Sequence, residues 1–394
     1  MLDNPRGQQH KFQLIEGGLA HRLAIRLGLK HPDNPYILRR AVLSVLVTWV
    51  PLLMLSAIDG NATGHHVTVP FLHDFAVYAR FLLAVPMLIL AEAVLGHRLG
   101  TAADNFVRSG LVIGEDVPKF EAAIDDALSW RDSVIPDLVL IFLAYAAAIS
   151  GLMLTGVHVS TWYSTGQGAG LSLTIAGWWF VLLCVPLMHF LTLRWLWRLF
   201  LWAQFLWRMS RLDLKLDPLH PDEAGGLGFV GNTERYFGVL LFAFSIAVSG
   251  VLANGIVYDH LSLISLGPTI AIYVLIAVCI VLSPLLVFFR TLVETKGRGL
   301  CQYSAFATEY TSSFRKKWMS RPRQTEETLL GTGDIQSLAD LGNSYSFVEK
   351  MHFLPMKART PINLAIACLI PMAPLSLTVM PIGEILKMLL KTIL

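Results

Sequence analysis

Thr174-Ile-Ala-Gly-Trp-Trp-Phe-Val-Leu-Leu-Cys-Val-Pro-Leu-Met-His-Phe-Leu-Thr-Leu-Arg-Trp-Leu-Trp197 decides the class of this chain. Trp178 and Trp179 mark one end of the apolar run, and Trp195 and Trp197 mark the other. Helical spacing puts the two pairs roughly 26 Å apart, close to the thickness of a bilayer's hydrocarbon core. Aromatic belts sit at the two membrane interfaces, so the stretch carries its own ruler.

Six further apolar segments accompany it, so that the full set is 41–58, 75–95, 134–155, 174–197, 235–257, 269–290 and 362–380. Each approaches the ~20 residues that a membrane-crossing helix needs. Composition agrees: 54% of residues are hydrophobic and only 15% charged, against about a quarter charged in soluble domains. The expected fold is an all-α polytopic membrane helix bundle. Six segments are read as transmembrane helices. For the seventh, crossing is favoured over a re-entrant turn at Pro371 and Pro374.

The basic residues fix the orientation. If all seven segments cross, the short loops 59–74, 156–173 and 258–268 hold no Lys or Arg. Of the 31 Lys and Arg, only Arg80, Lys387 and Lys391 depart from the opposite side. Basic loops stay cytoplasmic during insertion, which predicts a multi-pass membrane protein with its amino terminus inside. The polar first 36 residues predict no cleaved leader.

The chain divides accordingly. An amphipathic cytoplasmic segment (1–40) precedes a first hairpin (41–97) and a helical cytoplasmic loop (98–133). A second hairpin with a cytoplasmic extension (134–212) leads to a Gly-rich loop (213–234). A third extended hairpin (235–318), a helical segment (319–361), and the seventh apolar segment with an amphipathic tail (362–394) complete it. Ile15, Leu19, Leu23 and Leu27 recur every four residues, with Arg22, Arg26 and Lys30 on another face. That pattern suits a helix on the inner leaflet or one packed on the protein itself. Pro86, Pro186 and Pro284 fall midway along the second, fourth and sixth segments, where each is expected to kink its helix.

Ionisable residues inside a bilayer are costly and default to functional candidates. Arg80, Glu92, Asp137 and His189 therefore mark a permeation or proton path, with Asp74, Asp59 or Asp259 as partners for Arg80. Arg194, Arg198, Arg208 and Arg211 fall on one helical arc, which suits anionic lipid headgroups or the acidic stretch 115–132.

The loop Asp217-Pro-Leu-His-Pro-Asp-Glu-Ala-Gly-Gly-Leu-Gly-Phe-Val-Gly-Asn-Thr-Glu234 holds a literal G-x-G-x-x-G. The dinucleotide reading of that motif needs a preceding strand, and a proline-rich turn stands there instead. A glycine-rich helix start can still hold an anion. His220, Asp222, Gly225, Gly226 and Gly228 are the candidates, with Asp222 or Glu223 as an internal occupant. His220-Pro221-Asp222 also matches the tripeptide of J-domain co-chaperones, without the soluble hairpin that tripeptide requires.

His65, His66, His73, His158 and His260 gather in the loops that lack basic residues. Imidazole beside carboxylate suits a divalent metal, though no ligand spacing is recognisable. The four cysteines form no Cys-x-x-Cys pair, and no catalytic motif stands out. The sequence requires no cofactor and carries no nucleic-acid motif.

His220-Pro-Asp-Glu-Ala-Gly-Gly-Leu-Gly-Phe229 and Asp334-Ile-Gln-Ser-Leu-Ala-Asp-Leu341 resemble segments of a group of uncharacterised bacterial multipass inner-membrane proteins. The resemblance implies that location and no particular activity. Three functions are expected in order: an oligomeric channel or transporter for a small ion or solute, an interface enzyme or lipid-handling protein using the Gly-rich loop, and a scaffold whose segment 319–360 binds a cytoplasmic partner. Membrane lipids and further copies of the chain are the expected partners.

Overall fold

The computed structural model describes residues 12–15, 17–18, 37–63, 67–154, 161–165, 172–320, 328 and 331–378. In chain order its long helices are α1 (Ile37–Ile58), α2 (Phe75–Arg108), α3 (Val117–Asp132), α4 (Val134–Leu154), α5 (Ile175–Met209), α6 (Gly228–Tyr258), α7 (Leu263–Trp318), α8 (Gly333–Lys350) and α9 (Arg359–Leu369, continued as 3-10 helix over Ile370–Thr378). All but α3 and α8 are long and apolar enough to cross a bilayer. By length and hydropathy the chain is a multi-pass, all-α membrane protein. A two-rung ladder, Ser164–Thr165 with Ser172–Leu173, is its only paired strand among the described residues.

Large apolar side chains such as Ile135, Phe142, Leu182, Ile264, Ile272 and Leu275 stand exposed on the crossing helices. That face suits hydrocarbon rather than water. One end of the bundle carries the short loops (the loop end). The other carries the basic residues and the helical extensions (the basic end).

Three helices start at the loop end with side-chain caps. Asp74 accepts from the amides of Ala76 and Val77, Thr174 from Gly177, and Ser262 from Ser265. Each satisfies amides that a helix start leaves unpaired.

Pro86, Pro186 and Pro284 are accommodated in two ways. Before Pro86 the chain forms a π-helix over Tyr78–Ala84, and before Pro186 another over Phe180–Cys184. Val85 N–H reaches back five residues to Arg80, and Val185 N–H to Phe180. The wider turn makes room for a ring that would otherwise meet the carbonyl four residues earlier. The carbonyl that Pro186 leaves without a donor, Leu182 O, is taken by Tyr145 Oη at 3.1 Å. Pro284 instead opens a 3-10 stretch, Ser283–Phe288, and its orphaned carbonyl at Ile280 accepts from Ser283 Oγ at 2.8 Å. The three changes of helix type are thus two of one kind and one of another.

The seventh segment does not turn back at its prolines. Both the α-helical and 3-10 parts of α9 pack along α6, so Pro371 and Pro374 change the helix type without reversing the rod. The tail that bears Lys387 and Lys391 lies outside the described residues. The helix α2 also runs well past the apolar segment 75–95, ending only at Arg108.

Helix α6 is central, packed on α2 and α9, while α5 packs on α3, α4 and α7. A basic-end core gathers Phe12, Phe106, Phe120, Trp202, Phe205, Phe237 and Phe288, and a smaller loop-end core gathers Leu52, Phe71, Phe81 and Trp162.

Candidate functional site

Toward the loop end, α2, α4, α5 and α6 enclose a cavity of about 510 Å³. The two π turns line it together: Arg80 and Phe81 come from one, Phe180 and Val181 from the other, with Val77 and Val185 flanking them. Phe81 and Phe180 meet edge-on with ring centres 6.0 Å apart. Ala147, Ala148 and Gly151 of α4 leave the space open, and His189, Thr192 and Asn254 add polar atoms. π turns inside α-helices recur at functional sites, and here two of them shape one chamber.

Arg80 is half-buried yet deep in the protein, its remaining exposure on the cavity wall. Its guanidinium forms no hydrogen bond or ion pair among the described residues; Asp74 and Tyr163 act on it only through space. Asp74 was expected to pair with it. The carboxylate is instead spent elsewhere. Oδ1 caps α2 and accepts Asn254 Nδ2 at 2.8 Å, and Oδ2 accepts Trp162 Nε1 at 2.9 Å. Four donors saturate it. Burial pushes the Tyr163 phenol up, so it stays protonated at neutral pH.

The cavity joins Arg80 to His189, as the path reading requires, but leaves Glu92 and Asp137 outside its lining. Glu92 lies twelve residues beyond Arg80, about 18 Å along the helix. Buried Trp195 intervenes, its Nε1 on Leu88 O at 3.1 Å. The expected single path is therefore two separate clusters.

The second cluster is fully engaged. Glu92 takes Arg40 Nη1 on Oε2 at 2.7 Å and Arg198 Nη2 on Oε1 at 2.9 Å. Arg198 also donates to Ile15 O at 3.0 Å and stacks over Trp195. Arg194 donates to Gly17 O at 3.2 Å, and Arg131 reaches Gln13 O. Three guanidinia thus cap alternate carbonyls of the segment 12–18, whose Phe12 packs on Phe205 with ring centres 4.6 Å apart. Asp137 is buried beside Gly18.

The arginine stripe expected to face lipid headgroups consequently splits. Arg194 and Arg198 are buried inside the protein, because the segment 12–18 covers their face of α5. Arg208 pairs with Asp126 of α3 at 2.6 Å, inside the acidic stretch, and Arg211 lies over the Trp207 ring. Ile15 is buried in the protein's own core; residues 19–36 lie outside the described set.

The Gly-rich loop closes on itself. Asp222 Oδ1 accepts the amides of Ala224 (2.9 Å) and Gly226 (3.1 Å), Oδ2 that of Gly228 (2.7 Å), and His220 Nδ1 lies 2.8 Å from Oδ1. Burial pushes this carboxyl up, but the three amides and His220 outweigh it and hold it below the usual range. Gly226 needs its positive φ of 98°. Gly231 has no room for a side chain, since a Cβ there would lie 1.9 Å from Pro355 O. Gly225 seats against Met351 and Leu216. The neighbouring Glu223 turns to His352, 3.3 Å away. Of the two occupants the sequence allowed, an internal carboxylate or an anionic ligand, the internal carboxylate Asp222 holds the place.

His73 and His260 are exposed, and no three potential metal ligands converge among the described residues. His65, His66 and His158 lie outside those residues. One buried carboxyl went unanticipated: Glu234 accepts Trp202 Nε1 on Oε1 at 2.7 Å, while Oε2 has no partner among the described residues. Hydropathy puts Glu234 on the loop side of a boundary, whereas α6 already begins at Gly228.

Compared with known proteins, the chain matches no family model, no curated protein and no solved structure.

Proposed function

We propose that this protein is a channel or transporter for a small ion or solute, with the Arg80 cavity as its solute site. One observation carries the reading: a chamber of about 510 Å³ between crossing helices holds a guanidinium with no hydrogen-bond partner among the described residues. An unsatisfied cation inside a bilayer is costly, and a solute that accepts its hydrogen bonds relieves that cost. The charge sorting of the loops supports placing the basic end in the cytoplasm, and the resemblance of residues 220–229 and 334–341 supports a bacterial inner membrane. The interface-enzyme reading loses its main support, because Asp222 occupies the amides that a phosphate would use.

Purified protein in liposomes should pass at least one small ion or organic solute, and Arg80→Ala should lower that flux by ~10-fold or more. Absence of flux for every solute tested, with Arg80→Ala equal to wild type, would sink the proposal.

A further inference from the structure

Around the cavity, polar atoms sort into those already committed and those still free. Asp74 is saturated by Ala76, Val77, Asn254 and Trp162. Asn254 is used at both ends, since its Oδ1 accepts Phe75 N–H at 3.0 Å. Thr192 donates to Met188 O, and His189 Nδ1 lies on Val185 O. Among the described residues the charged donors left without a hydrogen bond are those of Arg80, beside the neutral Tyr163 hydroxyl and the second ring nitrogen of His189. Phe81, Phe180, Val181 and Met188 make much of the remaining wall apolar.

We infer that the cavity binds a small organic monocarboxylate, its carboxylate forked on Arg80 and its apolar body against Phe81 and Phe180. This rests on the cavity being the solute site proposed above. A guanidinium presents a planar fork that matches a carboxylate with two parallel hydrogen bonds. A single guanidinium answers a single negative charge, and the Asp74 carboxylate in the same wall repels a second one. That argues against phosphate dianions. An amine or a zwitterionic amino acid finds no free carboxylate to receive its ammonium group. An apolar body gains from leaving water for the aromatic wall, and the volume suits a chain or ring of several carbons.

The experiment is titration calorimetry on the full chain in phosphatidylcholine nanodiscs, with hexanoate and benzoate against hexylamine, hexanol and inorganic phosphate. Hexanoate and benzoate should give saturable binding, and the other three should give none. Arg80→Gln should weaken hexanoate by at least ~10-fold, the loss of charge-assisted hydrogen bonds, and Arg80→Lys, which lacks the fork, by less. Should Arg80→Gln fail to fold, Val181→Trp fills the chamber without touching Arg80 and should abolish the same binding. Saturable binding of hexanol, hexylamine or phosphate as tight as that of hexanoate would overturn the inference. So would Arg80→Gln or Val181→Trp binding hexanoate within twofold of wild type. Binding without liposome flux would remove the transport reading and keep the ligand; flux of inorganic ions without carboxylate binding would do the reverse.

Discussion

Arg80 and Glu92 share helix α2, both away from bulk water, and their surroundings are opposite. Glu92 is met on both oxygens by guanidinia, and Arg198 is in turn shared with the carbonyl of Ile15. Arg80 makes no hydrogen bond among the described residues and lines the cavity. A charge taken out of water must regain what it lost through partners. Where the partners are supplied by the chain, the group holds the structure together. Where they are not, the group has, on the function proposed above, a solute to receive. On that proposal one helix carries a rivet and a receptor.

The sharpest way to break this contrast is to remove each charge in turn. Glu92→Gln leaves buried guanidinia without their counter-charge and should cost about 3–5 kcal/mol, read as a large drop in the melting temperature of the detergent-solubilised protein. Arg80→Gln should melt close to wild type while losing carboxylate binding. If the two variants melted alike, the distinction between rivet and receptor would fall.

A smaller effect is expected at Asp222, a rivet outside the bilayer. Asp222→Ala strands the amides of Ala224, Gly226 and Gly228 and should cost about 1–3 kcal/mol. Because the folded carboxyl sits below its ordinary value of 3.8, its contribution is complete above that value. It is lost as pH falls through the lower, folded value. Melting temperature followed from pH 7 down to 3 should show this acid step in wild type and not in Asp222→Ala.

Gly231→Ala tests the same loop sterically. Its Cβ would sit 1.9 Å from Pro355 O, so the two backbones must separate, at about 1–3 kcal/mol by analogy with overpacked cores. Unchanged urea unfolding of that variant would show that the loop gives way freely. At the bottom of the scale lies Asp334, partly exposed and bonded to Lys317 and Trp318. Exposed pairs contribute little, and Asp334→Asn should melt with wild type.

How much of this could be read in advance follows from what each feature depends on. The crossing helices were legible because each depends on a sum along one stretch, apolar length against bilayer thickness. Arg80 was legible as an exception to charge sorting. The fate of Arg194 and Arg198 was not: a helical wheel says that they share a face, not what meets it. What meets it is Glu92, which is 106 residues from Arg198, and Ile15, which is 183 residues away. The Gly-rich turn announced an anion seat but could not choose its occupant. The choice went to Asp222 because Glu223 takes a φ of 58° and faces His352. The prolines announced kinks. What receives the carbonyl a proline orphans can be a sequence neighbour, as Ser283 is beside Pro284, or a residue that only the packed bundle supplies, as Tyr145 is for Pro186.

The segment 12–18 carries a consequence for how the molecule is made. Its carbonyls are held by Arg131, Arg194 and Arg198, all of which leave the ribosome after it. At ~5–20 residues per second, the stretch that emerges before every crossing helix waits about 10–40 s for Arg198 to be synthesised. Made ahead of the helices that hold it, it can be seated only once the second hairpin has been synthesised.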